Sequence, residues 1–146
     1  LFQGSIAKLA VLAVLQSIVA GIGGNSGNQT LTMIARAIAL GQIGSEHFTR
    51  LVNKEMAVAA INGLIFGGAI GLVIGVMEHN FVLGVVLTLA MTLNLLLAAV
   101  MGVVIPMWRF RHGKDPAAGS SVLLTAVTDT GGFFIFLGLA TLILLR

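Results

Sequence analysis

Cysteine is absent from this 146-residue chain, which excludes disulfides, thiolate metal sites and thiol catalysis. Charge is scarce too: Asp, Glu, Lys and Arg make up 9% of the residues, against about 25% in an average soluble domain. Catalytic constellations are missing. The three histidines, His47, His79 and His112, fall in expected loops with no HExxH or other ligand spacing, which argues against a fixed zinc site. No Ser-His-Asp arrangement and no carboxylate pair within reach of one another is visible, which argues against an enzyme. The glycine-rich stretch Gly21 to Thr30, GIGGNSGNQT, fails as a nucleotide loop. Ser26 stands where G-x-G-x-x-G needs its third glycine, and no Gly-Lys-Ser/Thr follows.

What remains is apolar. The chain is 58% hydrophobic with a mean hydropathy of +1.07, more apolar surface than a soluble fold of this size can hide. A membrane core is roughly 30 Å thick and takes about 20 apolar residues per helical crossing. On that measure the chain is an all-α integral membrane protein with four transmembrane helices. The net charge of +3 and pI near 10.2 do not signal nucleic acid, because the basic residues gather in short loops and read as a topology signal. Leu1 to Ser5, LFQGS, reads as a cleaved affinity-tag remnant, leaving residues 6–146 as the membrane domain. Lys8 followed by the apolar run Leu9 to Ala20 has a signal-peptide flavour, but the run flows into the glycine motif without a convincing cleavage site.

The spacing predicts a first helical region from Ile6 to Leu40, long enough that it must tilt, break or emerge. Its GIGGNSGNQT centre is too polar to face lipid. A second span is expected from Met56 to Met77, and a tight Glu78-His79-Asn80 connection leads to a third from Phe81 to Trp108, with Pro106 near its end. Asp115 and Pro116 suit the N-cap and first position of a fourth helix reaching Leu145. Gly63, Gly67, Gly71 and Gly75 form a smooth stripe suited to close helix packing. Asn62, Thr88, Thr92 and Asn94 suit interhelical hydrogen bonds. Arg36, Arg50, Lys54, Arg109, Arg111 and Lys114 lie near the two longer loops, and only Lys8 and Arg146 lie toward the other side. The positive-inside rule then makes those loops cytoplasmic and both ends of the chain extracytoplasmic, which in turn implies a membrane helix upstream.

Of the five acidic residues, Glu46, Glu55, Glu78 and Asp115 are expected at loops or helix ends, and Asp129 alone is deep in a span. Fourteen residues separate it from Asp115, on the order of 20 Å of helix, close to the bilayer midplane. An unpaired carboxylate there costs several kcal/mol unless it meets the bundle interior, a cation or water. No basic residue in the spans shares its depth, so a mobile cation is the natural partner. A protonated Asp bonded to a neighbouring helix, or a proton relay, are the alternatives. Ser121, Thr125, Asp129, Gly132 and Phe136 fall roughly on one helix face. The glycine segment adds Asn25, Ser26, Asn28, Gln29 and Thr30, hard oxygen donors of the kind magnesium or calcium takes, although a packed helix kink explains the segment as well.

Two stretches, GGNSGNQTLTMIARAIALGQI from Gly23 to Ile43 and KDPAAGSSVLLTAVTDTGG from Lys114 to Gly132, resemble the MgtE magnesium channels and their animal solute-carrier relatives. The resemblance implies a homodimeric helical bundle in the cell's inner (plasma) membrane, with this chain matching the second to fifth of five membrane helices per subunit. It also implies a pore along the dimer axis, walled by the first and fourth spans, in which Asp129 from both subunits faces one hydrated Mg²⁺. Thr125, Gly21, Asn25 and Asn28 are the further metal-contact candidates, and Mn²⁺, Co²⁺ or Ca²⁺ are possible substitutes for Mg²⁺ as the transported ion. The family's upstream helix and cytosolic regulatory domains, including its CBS pair, have no counterpart in this sequence. A cation exchanger coupling Mg²⁺ to another ion, or a structural membrane subunit, are the competing readings.

Overall fold

The computed structural model of the chain describes residues 3–144, all helices and turns with no strand among them. Leu1 and Phe2 of the expected tag remnant, and Leu145 and Arg146 at the other end, lie outside the described residues. The elements are α1 (Gln3–Ala39), a short 3-10 turn (Ser45–His47), α2 (Phe48–Asn62), a π-helical turn (Gly63–Gly67), α3 (Gly68–Met77), α4 (Phe81–Arg111) and α5 (Ser120–Leu144). With α2, the π turn and α3 forming one continuous crossing, four helices among the described residues are long and apolar enough to span a membrane.

The turns end helices by a common device. Gly41, His79 and Gly113 all take positive φ, and each donates its N–H three residues back while the next residue donates five residues back. This Schellman pairing satisfies carbonyls that the helix end leaves open. Gly41 and Gly113 take the left-handed conformation at no steric cost, whereas His79 does so with a side chain. Asn80 then starts α4, its Oδ1 accepting the Leu83 N–H at 3.1 Å.

Helix α4 is the centre of the bundle, with half of its apolar window buried against 22% in each other crossing. It packs against α1, α2, α3 and α5. The main core lies where Leu15 and Val19 of α1 meet Val86, Leu87, Ala90 and Met91 of α4 and Phe136 and Ala140 of α5. Within it Asn94 is fully buried, and its Nδ2 donates to the Val19 carbonyl at 2.9 Å. Gly23 of α1 and Gly132 of α5 have no room for a side chain because Asn94 occupies it. Thr88 likewise bonds across helices, to the Gly67 carbonyl at 3.0 Å, while Thr92 bonds only within α4. The interhelical role expected of these polar positions thus holds for Asn94 and Thr88.

The glycine stripe of the second crossing is packing surface. Gly63, Gly67, Gly71 and Gly75 are all buried and face Thr92, Thr88, Gly84 and Phe81 of α4 in turn. Lipid supplies no hydrophobic drive between helices, so this close backbone approach is what holds the pair.

Several expected boundaries shift. The first helix is continuous through its glycine segment. The third span runs on through Pro106 to Arg111. The last helix starts at Ser120, not at Asp115 and Pro116, because Gly119 takes a φ of 70° that no right-handed helix tolerates. Asp115 Oδ1 instead accepts the Ala117 N–H, closing a turn. The second crossing begins at Phe48, eight residues before the expected Met56, because Phe48, Leu51 and Val52 pack onto Ile34, Ile38, Val103 and Met107. Glu55 is therefore inside a helix and not at its end.

A side chain at Gly84 would meet the Gly71 backbone, whereas Gly68 opens onto empty space. Gly84→Leu is expected to cost about 1–3 kcal/mol or more, seen as a lower thermal unfolding midpoint in detergent, and Gly68→Ala to leave it unchanged.

Candidate functional site

Helices α1 and α5 pack antiparallel, with Leu124 against Gly27, Thr128 against Gly24 and Gly132 against Ala20. The small residues of the glycine segment explain this closeness. Gly23, Gly24 and Gly27 are buried in the contact, so their backbone is taken up by packing rather than left open to ions. The other side of the same helix is exposed and polar. Gly21, Asn25, Gln29, Thr32 and Arg36 follow one another along it at helical spacing, and nothing lies within 4 Å of the position a Gly21 Cβ would take.

Asn28 joins this face to α5. Its Oδ1 accepts the Ser121 hydroxyl at 2.8 Å, and its Nδ2 donates to the Gly24 carbonyl at 3.0 Å and reaches Thr125 Oγ1 at 3.5 Å. Asp129 stands one turn beyond Thr125, level with Ile22 and Gly23 by the antiparallel register and so between Gly21 and Asn25 along α1. Its side chain is exposed and makes no ion pair or hydrogen bond with any described residue. It therefore faces outward from the single-chain bundle and not into the bundle interior. From the true start of α5 it is nine residues along, in the middle third of that 25-residue helix, about 14 Å from its first residue.

The structure thus gathers Asn28 and Thr125 in one hydrogen-bonded seam with Ser121, and sets Gly21, Asn25 and Asp129 on the exposed surface beside it. A groove of about 940 Å³ continues along α1 past Asn25, Asn28, Gln29, Thr32 and Arg36 to Gln42. No cluster of three or more His, Asp or Glu side chains occurs among the described residues, and Asp129 is the one carboxylate beside Gly21, Asn25, Asn28 and Thr125.

One acidic residue escaped the sequence reading. Glu55 is only 8% exposed, and its Oε2 accepts the Thr30 hydroxyl of α1 at 3.1 Å. The signal was present: Phe48, Leu51, Val52, Glu55 and Ala59 recur at helical spacing, which puts Glu55 on the buried face. His47 also departs from a freely solvated loop residue, since its Nδ1 accepts the Gly44 N–H at 3.2 Å and lies 3.5 Å from Glu46.

The sequence pattern of a divalent cation transporter family, MgtE, matches residues 16–139. The chain is similar to the magnesium transporters MgtE of Thermus thermophilus (32% identical), Enterococcus faecalis (30%) and Bacillus subtilis (26%). The matches cover 98%, 97% and 96% of this chain but only 32%, 31% and 31% of those relatives, so it spans about a third of their length. With a family match over most of its residues, and four apolar crossings that fit a membrane transporter, the chain belongs to the MgtE divalent cation transporter family.

Proposed function

We propose that the chain forms half of a homodimeric pore that passes Mg²⁺ across the cell's inner (plasma) membrane, driven by the membrane potential. The observation that carries this reading is the exposed, unpaired Asp129 in the middle of a membrane-crossing helix. A carboxylate turned to lipid costs about 2.5–3.5 kcal/mol by insertion scales. Covering the α1–α5 face with a second copy of the chain removes that cost, because it encloses Asp129 from both subunits around one cation. Magnesium sheds water reluctantly, so the carboxylates hold a hydrated ion through its waters, and the width of the cage sets selectivity. Gly21 and Asn25 supply oxygens to either side of its level, and Asn28 with Thr125 holds the two walls together. The similarity to three magnesium transporters supports magnesium as the ion.

From the basic loops we infer that the α1–α2 and α4–α5 connections are cytoplasmic and the ends of residues 6–146 outside. In this domain Asp129 is a permeation residue, and no catalytic role is assigned.

In proteoliposomes with an imposed potential and a trapped magnesium-sensitive dye, Asp129→Asn and Asp129→Ala are expected to reduce flux to the level of empty vesicles while eluting normally on gel filtration. Wild-type flux in a folded Asp129 variant would reject the reading. Asn28→Ala removes the bonds to Ser121 and Gly24. It is expected to cost about 1 kcal/mol of stability and to slow magnesium flux several-fold without abolishing it.

A further inference from the structure

Between α1 and α2 lies a second cavity of about 310 Å³, lined by Ser26, Gln29, Thr30, Glu55 and Asn62, with Lys54 also bordering it. Its chemistry differs from that of the Asp129 face. Glu55 is more than nine-tenths buried, whereas Asp129 is exposed. The Thr30 hydroxyl donates to Oε2, and no other hydrogen bond to Glu55 occurs among the described residues, which leaves the second oxygen to the cavity. Lys54 is exposed and makes no ion pair with Glu55. A buried carboxylate of this kind is costly unless a positive charge meets it.

We propose that Glu55, with the side-chain oxygens of Ser26, Gln29, Thr30 and Asn62, forms a site for one monovalent metal cation, sodium, separate from the Asp129 face. Charge decides the valence. One carboxylate among neutral oxygens balances a single positive charge, whereas Mg²⁺ would leave an uncompensated charge buried. Magnesium also needs near-ideal octahedral geometry, whereas these five side chains differ in length and come from two helices. A bare proton would need neither the oxygens nor the space. At about 30 Å³ per water, the cavity holds an ion together with several waters.

The site bridges two crossings, since Thr30 belongs to α1 and Glu55 to α2. Gln29 and Met33 line both this cavity and the polar groove on the outer face of α1. If the groove carries magnesium as proposed above, an ion beside Glu55 is one side chain away from the path. The sodium site itself does not depend on that reading.

The test is thermal unfolding of the purified full chain in detergent, with sodium titrated at constant ionic strength and pH against choline, and potassium titrated in parallel. Wild type is expected to gain a saturable rise in midpoint with sodium and a much smaller one with potassium. Glu55→Gln and Thr30→Val are expected to weaken the apparent sodium affinity at least tenfold. Asp129→Asn, which tests the magnesium pore, should retain it. Should Glu55→Gln fail to fold, Thr30→Val and Asn62→Ala decide the matter. No saturable sodium effect in wild type, an equal effect from potassium or choline, or undiminished affinity in the folded Glu55 or Thr30 variants would overturn the proposal. A midpoint that responds to pH alone would overturn it as well, in favour of a protonated Glu55.

Discussion

Hydrocarbon gives an ionised carboxylate nothing in exchange for its lost water, and this constraint bears most heavily on Asp129. The residue lies in the middle third of a crossing helix, on the outer surface of the bundle, with no cationic partner among the described residues. A single chain in lipid leaves that charge uncompensated. In the pore proposed above, a second chain laid over the α1–α5 face would turn the same surface into an enclosed polar path, and a divalent cation between two carboxylates would balance both charges. Subunit pairing and ion binding are then two answers to one electrostatic demand.

The rest of the bundle serves to hold that face rigid. Small residues let α1, α4 and α5 approach closely, and Asn94 fills the space between Gly23 and Gly132 at the centre of the contact. Its bond to the Val19 carbonyl fixes α1 against α4 directly behind the polar face. Asn94 Oδ1 is buried and without a partner among the described residues. The glycine stripe does the same work on the other side of α4, where helices that cannot rely on hydrophobic force rely on contact distance. The two acidic residues inside the spans are correspondingly different. Asp129 is exposed on α5 with neutral oxygens beside it, whereas Glu55 is enclosed and hydrogen-bonded to the same helix that carries Asn25 and Asn28.

Much of this was legible from residues alone. Hydropathy located the four crossings, because a membrane span is defined by length and composition. The spacing of Gly63, Gly67, Gly71 and Gly75 announced a packing face, and Asn94 a bond between helices. Boundaries were less legible where a local backbone choice overrode a side-chain signal. Asp115-Pro116 has the composition of a helix start, yet Gly119 in the left-handed region delays the helix to Ser120. Glu55 was misplaced because hydropathy treats a charged stretch as outside the membrane, while the amphipathic spacing from Phe48 to Ala59 carries the helix through it. The exposure of Asp129 on the outer surface of one chain was beyond reach, since a helical face can be read from spacing but the neighbour it meets cannot.

The most direct measurement of the central claim is anomalous scattering from Mn²⁺, a magnesium mimic, in crystals of the protein. A peak is expected on a twofold axis between two Asp129 carboxylates, held through water rather than by direct coordination. Asp129 turned to lipid or paired with Arg or Lys, with no metal on an axis, would contradict it.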